Sequence, residues 1–200
     1  MIDMDYVTAL LTKFFLEKHP SAKILYDISS SRIVKEAIEE NGGKPLLCRT
    51  GHSFFRRLIR KEKALFGCEK SGHCMLKEFF FVEAAILTML YILKLLKKSG
   101  KKIEDLIAPF KKYFFLLEAM NFPKREKFKA VMKNLESEYS DGVFLYLDGL
   151  SVEYPDWWFN VRLSNTEPII RLRIEAKTAE LMEGKKKELH RLRHQSLSSL

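Results

Sequence analysis

The sequence predicts an α/β layered domain with a mainly parallel sheet, followed by a small α+β domain with an antiparallel sheet. Three observations predict it. Short apolar runs alternate with helix-periodic segments over the first hundred residues, the β-α-β order of a layered sheet. Beyond Gly100 the pattern changes to strand-like runs that follow one another with turn residues between them. The 200 residues, 46% hydrophobic, suffice for one large domain or two small ones, each with its own core.

Taken in order, residues 4–18 carry apolar side chains at helical spacing, and "AKILYDI" is a short apolar run of the kind a buried strand needs. Ser30 or Ser31 can cap a helix whose apolar face is Ile33, Val34, Ala37 and Ile38, and Asn41-Gly42-Gly43 stops it. "KPLLCR" is a second strand. Thr50-Gly51 turns the chain into a helix from about Ser53, with Phe54, Phe55, Leu58 and Ile59 inward. "KALFG" is a third strand, and the loop "GCEKSGH" (Gly67–His73) leads to a long helix near 80–98. Residues 100–109 read as a connection, which divides the chain into domains 1–104 and 105–200. In the second domain "KYFFLLEAM" reads as a strand, and Pro123 opens a helix that runs to Glu138. Asp141-Gly142 is a turn, after which "VFLYLDG", "SVEYPDWWFNVRLS" and "IIRLRIEAKT" read as successive antiparallel strands. Apolar and charged residues alternate in "IIRLRIE", which predicts one wet face. A last helix begins near Thr178, and "HRLRHQSLSSL" reads as a frayed tail.

Composition narrows the function classes. Lys and Arg number 35 against 26 Asp and Glu, a net charge of +9 that suits an anionic partner. The basic residues are scattered, however, and Lys97, Lys98, Lys101 and Lys102 sit where a helix should end and complement its dipole. No basic-aromatic motif supports nucleic-acid binding. Cys48, Cys68 and Cys74 form no C-x-x-C pair and are odd in number, which fits a reducing cytoplasm better than a disulfide framework. The acids in "MIDMDYVTALL" argue against a secretory signal. The most apolar stretch, Phe79–Leu96, is interrupted by Glu83 and Lys94, too close together for a bilayer span. It reads as a buried core helix, with no membrane partner.

Three polar clusters fall at the predicted carboxyl ends of the parallel strands, where such sheets bind ligands: Ser29–Arg32, Arg49–His52 and Glu69–His73. Cys68, His73 and Cys74 lack a fourth zinc ligand, and Glu69, Ser71 and His73 lie too close in sequence to orient one another as a triad. A carboxylate, a hydroxyl and an imidazole suit a polyol instead, since Glu accepts two hydroxyls while Ser and His fix orientation. On spacing alone, a surface histidine remains the default reading of His52 and His73. A second cluster, "VRLSNTEP", offers the planar fork of Arg162 with Ser164, Asn165 and Thr166, a set suited to phosphate, with Arg171 and Arg173 raising the local potential. An ordinary hairpin turn explains a bare Ser-Asn-Thr equally well.

Taken together and in order, "YDISSSRIVKEAIEENGGKPLLCRTGHSFFRRLIRKEKALFGCEKSGH" and "DGLSVEYPDWWFNVRLSNTEPIIRLRIEAKT" resemble the C-terminal half of the α-D-phosphohexomutases, the phosphomannomutase/phosphoglucomutase family. The resemblance covers most of residues 20–178, and the pairing of its two loop motifs is highly specific. It implies a third, sugar-binding domain followed by a fourth, phosphate-binding domain, out of four around a central cleft. It implies that Glu69 and Ser71 hold sugar hydroxyls, that Arg162, Ser164, Asn165 and Thr166 grip the phosphate, and that His52 and His73 act as acid/base or orienting groups. Arg49, beside His52, joins the substrate-binding set. The family moves a phosphoryl group between the 1- and 6-positions of a hexose such as mannose or glucose. The serine that carries the phosphoryl group and the Asp-x-Asp-x-Asp loop that binds Mg²⁺ belong to the family's first two domains, and neither motif occurs here. No cofactor is therefore expected in this chain, which should bind hexose phosphates but not turn them over without an N-terminal half. A face exposed by the absence of that half implies self-association. The alternative is a non-catalytic module that kept the fold and binds another anion or a protein. Ser29 departs from the family, standing where many members carry Lys or Arg, which weakens one expected contact.

Overall fold

The computed structural model describes residues 2–122, 125–164 and 167–198, with side chains as far as Leu192. The chain divides between Lys112 and Tyr113 into two units.

In the first unit, helix α1 (Met4–Leu16) begins at Asp3, whose side chain caps the amide of Asp5. It is followed by β1 (Lys23–Asp27), α2 (Arg32–Glu40), β2 (Lys44–Cys48), α3 (His52–Lys61) and β3 (Phe66–Cys68). Ser31 is the cap of α2, its Oγ accepting the Ile33 amide at 3.2 Å, and Ile33, Val34, Ala37 and Ile38 are all buried. Strands β2, β1 and β3 pair in parallel, so their carboxyl ends lie side by side with Asp27 opposite Cys48. The sheet continues through β4 (Cys74–Leu76) and β5 (Val82–Glu83), both antiparallel, in the order β2-β1-β3-β4-β5. These last two strands are absent from the sequence-based expectation because three and two residues are too few to show a period.

Helix α4 (Ala85–Ser99) corrects a second expectation. It is not a buried core helix. Only Thr88 is buried, whereas Ile86 is 74% exposed and Met89, Leu90 and Leu93 each 51%. Tyr91, on another side, meets the rings of Phe14 and Phe15 of α1, so the helix packs through one stripe and shows an apolar stripe to solvent. No helix among the described residues is long and apolar enough to cross a membrane. The short helix α5 (Ile103–Ile107) closes the unit.

The second unit is an antiparallel sheet in the order β6-β10-β9-β8-β7, formed by β6 (Phe114–Asn121), β7 (Val143–Leu145), β8 (Leu150–Glu153), β9 (Trp157–Leu163) and β10 (Ile169–Ala176). Helices α6 (Phe128–Glu138) and α7 (Ala179–Ser198) complete it. Pro123, expected to open α6, lies outside the described residues. The run "SVEYPDWWFNVRLS" is two strands rather than one, because Tyr154-Pro155-Asp156 turns the chain between β8 and β9. The core is built from one face of the sheet, with Phe159, Leu172 and Ile174, against Val131, Leu135 and Leu189 of the helices. The expected frayed tail is helical to Ser198.

The predicted wet face of β10 is also overturned. Arg173 and Glu175 are 1% and 0% exposed, 3.6 Å apart, with the guanidinium over the Phe115 ring and Glu175 accepting the Trp158 indole N–H at 2.9 Å. Alternation predicts which residues share a face, but burial of charge depends on partners that only folding brings together.

Candidate functional site

The loop Glu69–His73 joins β3 to β4 as a tight hairpin: the Glu69 amide donates to the His73 carbonyl at 2.9 Å and the Gly72 amide to the Glu69 carbonyl at 2.9 Å. Directly below it, Cys68 and Cys74 face each other across the strands with Cα atoms 4.1 Å apart and form a disulfide. This overturns the expectation of reduced cysteines; Cys48 takes no part in the disulfide and is buried. Register rather than spacing decides the pairing, because a cross-strand pair at a narrow ladder position puts two Cβ atoms within reach. Gly67 enters the loop with no room for a side chain: a Cβ there would lie 2.6 Å from the Leu25 carbonyl oxygen and 2.9 Å from the Phe55 ring.

The hairpin gathers four of the anticipated residues. Glu69 is buried, and its Oε2 lies 3.7 Å from Nδ1 of His52 and 3.9 Å from Nδ1 of His73. Ser71 Oγ is 2.9 Å from the same His73 nitrogen, and the two imidazole rings stand edge to face at 5.7 Å. Both histidines are about half exposed, so the cluster opens to solvent over a buried carboxylate whose Oε2 accepts no hydrogen bond from the described residues. A buried acceptor with two flanking imidazoles and a hydroxyl is equipped to take ligand hydroxyls as donors. His52 arrives at the first position of α3, directly after Gly51. Arg49 stacks its guanidinium on Phe54 at 4.2 Å, so its planar face is used by an aromatic neighbour. Ser29 is buried, its Oγ 3.3 Å from Thr50 Oγ1, which links two strand-end segments.

Sequence reasoning missed the residues that hold this hairpin. Asp27, the last residue of β1, accepts the Ser29 amide on Oδ1 at 2.6 Å and the Lys70 amide on Oδ2 at 3.0 Å. The Lys70 ammonium turns to the start of α1, 2.6 Å from Asp5 Oδ2 and 2.5 and 2.6 Å from the two Asp3 oxygens. Lys70, at the second position of the turn, is held inward by these carboxylates, while Glu69 and Ser71 stand at the cluster. A lone acid ending an apolar run was the available signal for Asp27.

In the second unit, Arg162 stands near the end of β9 with only 13% of its side chain exposed, Nε 4.0 Å from Asp148 Oδ2. Ser164 is buried, its amide donating to the Ile169 carbonyl at 3.0 Å and its Oγ accepting the Glu167 amide at 3.3 Å. Asn165 and Thr166 lie outside the described residues. Arg171 is held by Glu167 at 3.0 Å, and Arg173 is committed to the buried pair described above, so it does not add to the potential of this loop. Among the described residues no three His, Cys, Asp or Glu side chains are grouped to hold a metal ion.

Comparison with known proteins gives a consistent result. A model of the phosphoglucomutase/phosphomannomutase α/β/α domain III matches residues 3–113, and one of the phosphoglucomutase/phosphomannomutase C-terminal domain matches residues 119–192. The chain is 36% identical over 188 residues to a phosphomannomutase of Methanocaldococcus jannaschii, covering 94% of this chain and 41% of that protein. It is 33% identical over 194 residues to a protein of Xanthomonas campestris named for phosphohexose mutases, covering 96% and 43%. The crystal structure of a phosphoglucomutase/phosphomannomutase family protein from Burkholderia thailandensis superposes with a TM-score of 0.84 at 26% identity, over 98% of this chain and 42% of that one. The chain thus spans about two fifths of the length of the curated relatives it matches.

Proposed function

Since the chain belongs to the phosphoglucomutase/phosphomannomutase family, we propose that it is the substrate-binding half of an enzyme interconverting hexose 1-phosphate and hexose 6-phosphate. The observation that carries the reading is the buried Glu69 carboxylate with Ser71, His52 and His73 around it. In this reading Glu69 accepts two neighbouring hydroxyls of the sugar, Ser71 holds His73 through Nδ1, and the half-exposed imidazoles orient the ring or pass a proton at its oxygens. Arg49 extends the same substrate-binding set. In the second unit Arg162 and Ser164, with Asn165 and Thr166, take the phosphate through charge-assisted hydrogen bonds.

Phosphoryl transfer also needs a phosphoryl carrier and a cation to offset charge. No grouping of ligands for Mg²⁺ exists among the described residues. The family resemblance assigns the ion and the carrier serine to an N-terminal half. This chain alone is expected to bind hexose phosphates without turning them over, in the cytoplasm.

Titration calorimetry with mannose 1-phosphate and with glucose 1-phosphate, beside Arg162→Ala, tests the reading. Losing a charge-assisted contact of about 2 kcal/mol should weaken binding roughly 30-fold in the variant. Absence of binding by the wild-type chain up to millimolar ligand, or binding indifferent to Arg162, would favour a non-catalytic module for another anion or a protein.

The exposed stripe of Ile86, Met89, Leu90 and Leu93 is the surface we assign to the N-terminal half or, without it, to self-association. Sedimentation equilibrium should show a concentration-dependent mass that Leu90→Lys reduces to that of the monomer. A wild-type monomer at high concentration would refute the assignment.

A further inference from the structure

Two of the three strand-end segments are tied together by one side chain. Asp27 is 1% exposed and ends β1 beside the end of β3, where Tyr26 pairs with Cys68. Its two oxygens each accept one backbone amide, that of Ser29 at 2.6 Å and that of Lys70 at 3.0 Å. Lys70 stands between Glu69 and Ser71, so its amide is a fixed point in the middle of the hairpin.

Burying a carboxylate is costly, and here the cost is visible. Burial, with the charges of Asp5 and Glu69, outweighs the pull of the Lys70 and Ser29 amides and raises the Asp27 carboxyl to about 6. The charged groups around it are Asp3 and Asp5 at the start of α1, which share the Lys70 ammonium, and Glu69, with His52 and His73 beyond it. A neutral side chain would fill the position more cheaply, but no neutral side chain of this size presents two acceptor oxygens.

We propose that Asp27 is a positioning residue: by accepting both amides it locks the Ser29 turn to the Glu69–His73 hairpin and so presents Glu69 and Ser71 to the ligand's hydroxyls. The ligand half of this statement rests on the reading of the site as a hexose-phosphate clamp; the coupling of the two loops does not. Asp27→Asn keeps one acceptor oxygen and replaces the other with an amide nitrogen, so one of the two N–H groups loses its partner.

Two measurements test it. In the wild-type chain, NMR shifts of the Ser29 and Lys70 amides should follow the Asp27 carboxyl carbon through one shared midpoint near pH 6. Both titrations should vanish in Asp27→Asn. Separate midpoints, or amide titrations that survive the substitution, overturn the coupling. In calorimetry at pH 7.5, Asp27→Asn should weaken mannose 1-phosphate binding at least tenfold with no fall in thermal unfolding temperature. Unchanged affinity, or affinity lost only in step with stability, overturns the positioning role. If the wild-type chain binds no hexose phosphate, the proposed function fails, and the amide titration still decides whether Asp27 couples the loops.

Discussion

Gly149→Ala should destabilise the second unit by about 3 kcal/mol, combining the strain of a left-handed residue with overpacking. Gly149 has φ +74°, and a Cβ there would stand 2.2 Å from the Val161 carbonyl oxygen and 2.7 Å from Arg162 Cβ. Neither neighbour can give way cheaply, because Val161 and Arg162 lie within β9, paired with β10 on its other side. The turn is also held from within: buried Asn160 donates to the Asp148 carbonyl at 3.0 Å and to Ser151 Oγ at 2.9 Å. The substitution should therefore displace Arg162 and weaken phosphate binding along with stability. Both tryptophans, Trp157 and Trp158, are in this unit, so their fluorescence in urea reports its unfolding directly. Gly184→Ala is the control, since nothing lies within 4 Å of its added methyl and helix propensity favours it. A loss below 1 kcal/mol at Gly149 would mean that β9 tolerates the displacement and that the close approach has no structural role.

The second large effect is a pH dependence opposite to the usual behaviour of a carboxylate. Asp27 binds its proton more tightly in the folded chain, near pH 6, than at the ordinary 3.8 of an exposed aspartate. The folded state therefore gains stability from this group as pH falls, fully below 3.8, and loses it as pH rises through 6. The stability of the wild type minus that of Asp27→Asn should increase by about 3 kcal/mol between pH 7.5 and 3.5. Taking the difference cancels the other acids, which are common to both chains. Urea titrations followed by far-UV circular dichroism at several pH values measure it, as the first unit contains no tryptophan. A flat difference, or one of the opposite sign, would show that burial does not raise the Asp27 carboxyl above the ordinary aspartate range. Paired with the binding data, the expected result describes a residue whose charge lowers stability while keeping two loops in register.

Most of the element order was legible in the sequence because those elements rest on local chemistry. Apolar runs of strand length, the Ser31 cap, the Asn41-Gly42-Gly43 stop and the turn residues act within a few positions of one another. The two loop motifs were legible for the same reason, being continuous. The resemblance they support needed no fold at all, and it named Glu69, Ser71, His52 and His73 before the structure drew them around one carboxylate. Tertiary structure alone decided the rest. Strands β4 and β5 exist because β3 offers them an edge, not because two or three residues prefer to be extended. Cys68 and Cys74 pair because the ladder sets them opposite each other, and Arg173 is buried because Phe115 and Glu175 meet it from across and along the sheet. The stripe on α4 is apolar in sequence, yet whether it is core or surface depends on what packs there. Asp27 was the hardest to anticipate. Its partners, Ser29 and Lys70, are two residues and forty-three residues away, and a carboxylate's function as a tie exists only once parallel strands bring both amides to the same end of the sheet.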